Sequence, residues 1–374
     1  MQFRGKKRLA TIGGAVAAAL ALAACGSSPA ATTPPAGGGG TTPAGTGTEA
    51  ATGAAGATGS GTLNGSGSTF QLTFQQAAIS SFQSATPGIR VNYSGVGSGT
   101  GRSNLAANTV QFAGSDSPIP SSEEANFHGK TVLYFPVLMG PIAMAYNLPN
   151  VSTLKLTPKL IAEIFQGKIK NWDDPAIKAE NSGVTLPSTA ITTAVRSDSS
   201  GTTQNFSLFL TEAAASDWTL GTNSTINWPS TARAASGNGG VASVIKSTPG
   251  AIGYVDFGDA KATGLDMAEV QNKDGHFVEP TTNGASVAGD GVTVMPNLTF
   301  HAVWATGADA YPITYQSWVL VYEKQGSANN ANMLKSYLGY LLGPGQQLLP
   351  QLNYAPLPAS IDGKAKAQLD KITG

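Results

Sequence analysis

The run of apolar residues from Val132 to Tyr146 constrains the fold more than any other stretch of the sequence. It is broken by Gly140 and Pro141, and it is much longer than an ordinary strand of about five or six residues. A continuous apolar run is typical of a strand buried on both faces, because neither face is kept polar for solvent. We therefore predict a fully buried strand here, long enough to cross between two lobes.

Helical and strand patterns alternate on both sides of this run. Phe70, Phe74, Ala78 and Phe82 recur at a spacing of four, which predicts one buried face of a helix. Further strands are predicted at 62–64, 89–93, 110–113, 191–195, 251–255 and 318–322, and further helices at 98–108, 200–210 and 331–342. Two helix starts are predicted from capping signals, one at Thr157-Pro158 and one from the pair Ser121 and Glu124. The alternation indicates an α/β protein.

The first 24 residues have the pattern of a secretion signal. A basic region (Arg4, Lys6, Lys7, Arg8) precedes an apolar stretch at 9–22, which is shorter than the roughly 20 residues of a membrane span. The sequence at 22–26, Leu-Ala-Ala-Cys-Gly, resembles a bacterial lipobox, which implies that Cys25 is acylated. The alternative is ordinary cleavage near an incidental cysteine. Cys25 is the only cysteine of the chain, which excludes internal disulfides and cysteine-based metal sites.

Residues 25–61 are predicted to form a lipidated, disordered tether. They consist almost entirely of Ala, Gly, Thr, Pro and Ser, with Glu49 as the only charge, a composition that cannot bury enough apolar surface to fold. Beyond the signal segment, 18 basic residues face 22 acidic ones. A mildly acidic body lacks the basic footprint of a nucleic-acid-binding protein, and any anion site on it must be local.

Three Gly- and Ser-rich turns each lead into a predicted helix, at 65–70, 95–101 and 196–203. A helix N-terminus presents unpaired N–H groups and a partial positive charge, and it is a natural anion site when glycine lets the ligand approach. Each turn alone is more often an ordinary helix cap. A fourth segment, 112–118, contains Asp116, whose carboxylate helps to bind an anion only if that anion still carries a proton to donate.

Seven blocks, in order, resemble the phosphate-binding proteins of bacterial ABC phosphate transporters. They lie at 62–70, 93–99, 112–118, 167–174, 196–202, 249–255 and 311–313. The resemblance implies a two-lobed α/β fold of the periplasmic-binding-protein type II, with two mixed sheets flanked by helices and joined by extended hinge crossovers. One lobe is expected to comprise 62–138 and 309–374, and the other 139–308.

The same resemblance implies the phosphate-binding residues. They are Thr69, Phe70 (through its backbone N–H), Ser98, Asp116, Arg196, Ser200, Gly201 and Thr202. Asp116 is expected to accept the phosphate proton, which sulfate lacks, and Asp198 to pair with Arg196 and orient its guanidinium. Gln71 departs from the family pattern, which often has proline at this position.

The implied function is capture of inorganic phosphate between the lobes and delivery to the membrane permease subunits of an ABC importer. The protein is expected to be a monomer, to be held on the outer face of the cell membrane, and to need no cofactor or metal. Alternatives are a binding protein for sulfate or molybdate, a phosphatase, or a surface adhesin. The phosphatase is disfavoured because His128, His276 and His301 are scattered and form no metal-ligand motif.

Overall fold

The computed structural model describes residues 58–374. The predicted signal peptide, Cys25 and nearly all of the predicted tether lie outside these residues. Within the described part, no helix is both long and apolar enough to cross a membrane.

Strands and helices alternate along most of the described residues. The strands are β1 (Gly61–Gly67), β2 (Ile89–Gly95), β3 (Phe112–Ser115), β4 (Val132–Tyr146), β5 (Lys155–Leu156), β6 (Thr192–Arg196), β7 (Arg233–Ala235), β8 (Ala251–Asp256), β9 (Asp266–Met267), β10 (Glu269–Gln271), β11 (Phe277–Val278) and β12 (Thr314–Tyr322). The helices are α1 (Leu72–Ala85), α2 (Ser98–Ala106), α3 (Ser121–Glu124), α4 (Pro158–Phe165), α5 (Pro175–Glu180), α6 (Gly201–Ala213), α7 (Gly237–Ser247), α8 (Phe257–Thr263), α9 (Thr282–Asp290), α10 (Ala328–Leu342) and α11 (Ala359–Ala367).

The main sheet is mixed and runs in the order β2-β1-β3-β12-β4-β8-β6-β7, with β9 added beside β4. Strands β1, β2 and β3 are parallel, as are β6, β7 and β8, while β4 and β12 are antiparallel to their neighbours. A separate small sheet has the order β11-β10-β5. The prediction of an α/β fold with mixed sheets is therefore confirmed.

Strand β4 is the predicted long apolar strand, with the predicted bounds and with every residue after Val132 buried. Its first part pairs with β12, and its second part, from Ile142, pairs with β8. The two predicted sheets therefore share this strand and form one continuous path. The predicted division into lobes at 138/139 and 308/309 stays a prediction.

Two of the local predictions have opposite outcomes. At α4 the Thr157 hydroxyl accepts the N–H of Leu160 at 3.2 Å, as expected for a helix cap. At α3 the predicted capping box is wrong: Pro120 precedes the helix and no side chain caps it. The helix is a single turn, and the neighbouring Glu123 instead forms an ion pair with the buried Arg102, at 2.7 Å between Nε and Oε2.

Candidate functional site

Five loops meet at one edge of the main sheet, where its parallel strands end. They follow β1 (68–71), β2 (96–97), β3 (116–120), β6 (197–200) and β7 (Ser236), and several lead directly into helices. Ligands of open α/β sheets bind outside the carboxyl ends of the strands, because loops and helix N-termini converge there. We call the space between these loops the cleft.

The loop after β1 places Thr69 and Phe70 on one side of the cleft. Gly67 precedes them with a φ of +140°, and a Cβ there would lie 2.1 Å from the carbonyl oxygen of Gly114, so only glycine fits. Phe70 is buried and stacks on Tyr315 with 4.0 Å between ring centroids. Packing of this ring fixes the backbone of the loop that carries both predicted ligands.

Ser98 is the first residue of α2 and is fully buried. Its hydroxyl donates to Asp116 Oδ2 at 3.2 Å and accepts the backbone N–H of Asp116 at the same distance. The preceding Gly97 has a φ of +91°, and this tight turn brings the helix N-terminus to the cleft. Ser98 and Asp116 therefore form one unit at the ends of β2 and β3.

Asp116 follows β3, is 1% exposed, and places its carboxylate in the cleft. Burial raises its pKa above the usual range, and hydrogen bonds from Ser317, Ser68 and Ser98, together with the charge of Arg196, limit the rise. Ser317 donates to Oδ1, while Ser98 contacts Oδ2. The carboxylate thus has two inequivalent oxygens, one held by β12 and one turned toward the helix N-termini.

Arg196, at the end of β6, is 5% exposed, and its guanidinium donates in two directions. Its Nε and NH2 groups both donate to Asp198, with 2.8 Å from Nε to Oδ1. Its NH1 group donates to Asn238 Oδ1 at 3.1 Å and lies 3.4 Å from Thr202 Oγ1. Burial opposes ionisation of Asp198, but the hydrogen bonds and charge of Arg196 and the N–H of Gly237 outweigh it and lower the pKa of Asp198. The predicted pairing of Arg196 with Asp198 is present.

Ser200, Gly201 and Thr202 form the N-terminus of α6. The Ser200 hydroxyl accepts the N–H of Thr203 at 3.1 Å, so its own proton remains free for another acceptor. Gly201 lies directly against the other side of the cleft, because a Cβ on it would come within 2.5 Å of Ser98 Oγ and 2.7 Å of Asp116 Oδ2. All three residues are buried.

The structure brings all of the predicted site residues to this one cleft. Contacts cross it at three places: Gly99 N–H donates to the carbonyl of Ser199 at 3.0 Å, Asn205 Nδ2 donates to the carbonyl of Asp116 at 2.7 Å, and Asn238 N–H donates to Thr69 Oγ1 at 3.4 Å. The two sides of the cleft are thus in contact in this structure.

Sequence reasoning missed two residues of the cleft, Asn238 and Ser317. Asn238 is fully buried at the start of α7, and it accepts from Arg196 through Oδ1 while its Nδ2 has no protein partner. The Gly-rich stretch 237–240 after β7 repeats the pattern of the three turns and could have been found by it. Ser317 lies within the buried strand β12 directly after Thr314, Tyr315 and Gln316, and nothing in the sequence distinguishes its hydroxyl from these polar neighbours.

The cleft is rich in hydrogen-bond donors, and it contains one carboxylate, that of Asp116, which forms no ion pair with any described cationic side chain. Donors are available from Arg196, from the hydroxyls of Thr69, Ser200 and Thr202, and from the helix N-termini of α2, α6 and α7, while the Ser98 hydroxyl donates to Asp116 in this structure. Among residues 58–374, no group of three or more His, Cys, Asp or Glu side chains could hold a metal ion. This arrangement suits a small oxyanion that carries a proton.

The chain matches a family model described as a PBP superfamily domain over residues 52–344. It is 33% identical over 317 residues to "Phosphate-binding protein PstS 3" of Mycobacterium leprae, covering 82% of this chain and 85% of that protein. It is 31% identical over 322 residues to "Phosphate-binding protein PstS" of Pasteurella multocida, covering 80% and 92%.

Solved structures share the fold. A high-affinity periplasmic phosphate-binding protein bound with phosphate superposes with a TM-score of 0.69 at 22% identity, covering 82% of this chain and 93% of that one. A putative phosphate ABC transporter substrate-binding protein from Clostridium perfringens, with bound phosphate, gives 0.59 at 18% identity, covering 80% and 100%.

Proposed function

Because this chain belongs to the PBP superfamily and, within it, to the family of the phosphate-binding proteins PstS, we propose that it binds inorganic phosphate and delivers it to an ABC importer. The ligands are the predicted ones: the hydroxyls of Thr69, Ser98, Ser200 and Thr202, the backbone N–H groups of Phe70 and Gly201, the Arg196 guanidinium and the Asp116 carboxylate. Asp198 holds Arg196 in place.

The single observation that carries this proposal is the buried Asp116 among donors. Inorganic phosphate keeps at least one proton at neutral pH and sulfate keeps none. The ionised carboxylate accepts that proton, whereas an unprotonated sulfate oxygen faces it with like charge and no hydrogen bond. A site built to bond a ligand hydroxyl can reject an analogue that lacks it by about 10⁴–10⁵-fold. Sulfate and molybdate are therefore the disfavoured alternatives.

Phosphate bridges two lobes in this proposal. Thr69, Ser98 and Asp116 belong to the lobe of 62–138 and 309–374, and Arg196 to Thr202 belong to the lobe of 139–308. The cross-cleft contacts of Gly99 and Asn205 support this arrangement, since each joins one lobe to the other. Phosphate favours closure because it bonds to both lobes at once. Small-angle scattering should then show compaction on titration with phosphate, and an unchanged radius of gyration would contradict it.

The proposed location is the outer face of the cytoplasmic membrane. Acylation of Cys25 would anchor the chain, and the residues between Cys25 and Thr58 would tether the phosphate-binding body to it, because Ser60 already contacts Asn329 and Gly61 begins β1. The membrane partners are the permease subunits of the importer, and the chain acts as a monomer. Replacing Cys25 with Ser should release the protein from membrane fractions, and retention of the variant would contradict the anchor.

We also propose that the protein is not an enzyme. The three histidines are all exposed on loops, away from the buried groups of the cleft, and the Ser200 hydroxyl already serves as a helix cap. Among residues 58–374, no histidine is therefore in position to activate a hydroxyl of the cleft for attack on a phosphate ester. An assay with a chromogenic phosphomonoester should give no turnover above buffer, and catalytic turnover that disappears in Asp116→Asn would contradict this proposal.

The central test is calorimetry on the full chain in detergent with phosphate, sulfate and arsenate. We expect tight binding of phosphate, measurable binding of arsenate, which has the same protonation behaviour, and no binding of sulfate. Asp116→Asn keeps the shape of the side chain but removes the charge, so phosphate affinity should fall about 10- to 100-fold while sulfate affinity rises. Equal affinities of the wild type for phosphate and sulfate would refute the proposal.

A further inference from the structure

A continuous path of buried hydrogen bonds runs from helix α10 to Asp116. The Tyr337 hydroxyl donates to Gln75 Oε1, and Gln75 Nε2 donates to Gln71 Oε1 at 2.9 Å. Gln71 Nε2 then donates to Ser317 Oγ at 2.7 Å, and Ser317 donates to Asp116 Oδ1. Each of the five side chains is at most 1% exposed, so water cannot replace any of these bonds.

The direction of every bond in this path follows from one backbone group. The carbonyl oxygen of Trp318 can only accept, and it lies 2.7 Å from Gln71 Nε2, so this atom is the amide nitrogen. Gln71 must then present Oε1 to Gln75. On the other side, the Ser317 oxygen already accepts from Gln71, so its own proton is directed away from Gln71.

The Ser317 proton has two acceptors within reach. Asp116 Oδ1 is the nearer one, and the carbonyl of Ser115 lies at 3.4 Å, the outer limit of a hydrogen bond. A hydroxyl that both accepts from an amide and donates to a carboxylate is polarised along the path, which strengthens the donated bond. Oδ1 is therefore held by Ser317, and Oδ2, which accepts from Ser98 at 3.2 Å, is the oxygen on the ligand side.

A donor to Asp116 favours its ionised form. Its charged and titratable neighbours come from several elements: Arg196 on β6 favours ionisation, and the charge of Asp116 contributes to the raised pKa values of Tyr93, Tyr315 and Tyr354. Burial acts in the opposite direction. Removal of the Ser317 donor would thus favour the protonated form of Asp116. A protonated carboxyl oxygen cannot accept a hydrogen bond from the ligand hydroxyl.

We propose that Gln71 and Ser317 are positioning residues that fix Asp116 as a proton acceptor and so determine the preference for phosphate over sulfate. Proline, which the family pattern often has at the position of Gln71, has no side-chain amide and could not donate to Ser317 as Gln71 does. The inference rests on the proposed function, because it concerns the selectivity of the same site.

Binding to the full chain in detergent is measured by calorimetry with sodium phosphate and sodium sulfate. Gln71→Leu removes the amide and keeps most of the volume, and Ser317→Ala removes only the hydroxyl and serves if the first variant fails to fold. Gln76→Leu, at an exposed position of α1 one turn after Gln71, is the control. We expect Gln71→Leu and Ser317→Ala to lower phosphate affinity about tenfold and to lower the phosphate-to-sulfate ratio, and the control to match the wild type.

Each variant is also combined with Asp116→Asn. If the residues act through the carboxylate, their effect on the phosphate-to-sulfate ratio should vanish in that background, to within about twofold. An effect of undiminished size there, or an equal loss of affinity for both anions in the Asp116 protein, would show a merely structural role and overturn the inference. If the wild type bound no phosphate, the proposed function would fail instead.

A measurement without ligand distinguishes failure of this inference from failure of the proposed phosphate-binding function. Carbon-13 NMR of the aspartate carboxyl groups, assigned through Asp116→Asn, follows the titration of Asp116. We expect a higher pKa for Asp116 in Ser317→Ala and in Gln71→Leu than in the wild type and in Gln76→Leu. An unchanged titration in both variants would overturn the inference whatever the protein binds.

Discussion

Gly201→Ala should block the cleft without harming the helix that carries it. Gly201 is the first residue of α6 and needs no special backbone conformation, so alanine is compatible with its position. An added Cβ would lie 2.6 Å from Asp116 Cβ and 2.5 Å from Ser98 Oγ. Ordinary contacts between carbon atoms are about 3.5–4.0 Å, so the two sides of the cleft must separate by roughly 1 Å.

The size of the effect follows from the bonds that cross the cleft. A separation of roughly 1 Å would lengthen the bond from Asn205 Nδ2 to Asp116 O, now 2.7 Å, and the bond from Gly99 N–H to Ser199 O, now 3.0 Å, beyond hydrogen-bonding distance. Each is worth about 0.5–1.5 kcal/mol, so closure loses about 1–3 kcal/mol. Because phosphate binding requires closure, its affinity should fall about 5- to 150-fold.

Calorimetry with phosphate and small-angle scattering on the full chain test this prediction. Gly363→Ala is the matched control, since it lies in α11 with no atom within 4 Å of its added Cβ. The control should bind phosphate like the wild type, and Gly201→Ala should bind weakly and compact less. The reasoning is refuted if Gly201→Ala keeps wild-type affinity, because the steric contact would then impose no separation on the bound state.

Three further predictions concern single side chains. Arg196→Lys should weaken phosphate binding about 100-fold in calorimetry, because one ammonium cannot keep the two-point contact with Asp198 and also bind the anion; a loss below tenfold would contradict it. Asp256 is buried, and burial and the charge of Asp259 raise its pKa, so its contribution to stability is present in acid and is lost as the pH rises. Asp256→Asn should therefore unfold in urea at a higher concentration than the wild type at pH 7 but not at pH 3.5, and equal differences at both pH values would contradict this. Glu123→Gln should lower the free energy of unfolding by about 3 kcal/mol, because it leaves the buried Arg102 guanidinium without its carboxylate; a loss under 1 kcal/mol would contradict it.

Apolar pattern was a sufficient guide to the long elements of this protein. The strand from Val132 to Tyr146 was predicted with its true bounds, because a strand buried on both faces leaves an uninterrupted apolar signature. The aromatic stripe that begins at Phe70 predicted α1, although Phe70 itself lies before the helix, where it packs on Tyr315. Ends of elements depend on such tertiary contacts, which a sequence pattern does not contain.

The site was predictable where its chemistry is local in sequence. Gly-rich turns that open helices identify backbone donors, and the segment from Arg196 to Thr202 contains four of the eight predicted ligands. Ser317 was not predictable, because its role depends on an antiparallel pairing that places β12 beside β3. Gln71 was noticed only as a departure from a pattern, and its contact with Ser317 joins positions far apart in the chain.

The way the chain enters β1 determines how the molecule responds to a pull on its N-terminus. Gly61 starts the strand at the end remote from the cleft, and β1 lies between the parallel strands β2 and β3. The residues just before it are held against α10, where Ser60 N–H donates to Asn329 Oδ1 at 3.1 Å. Tension from a tether would therefore load the ladder along the strand axis, so that many hydrogen bonds share the force in shear. The sheet would therefore resist such a load before the load could separate the two sides of the cleft.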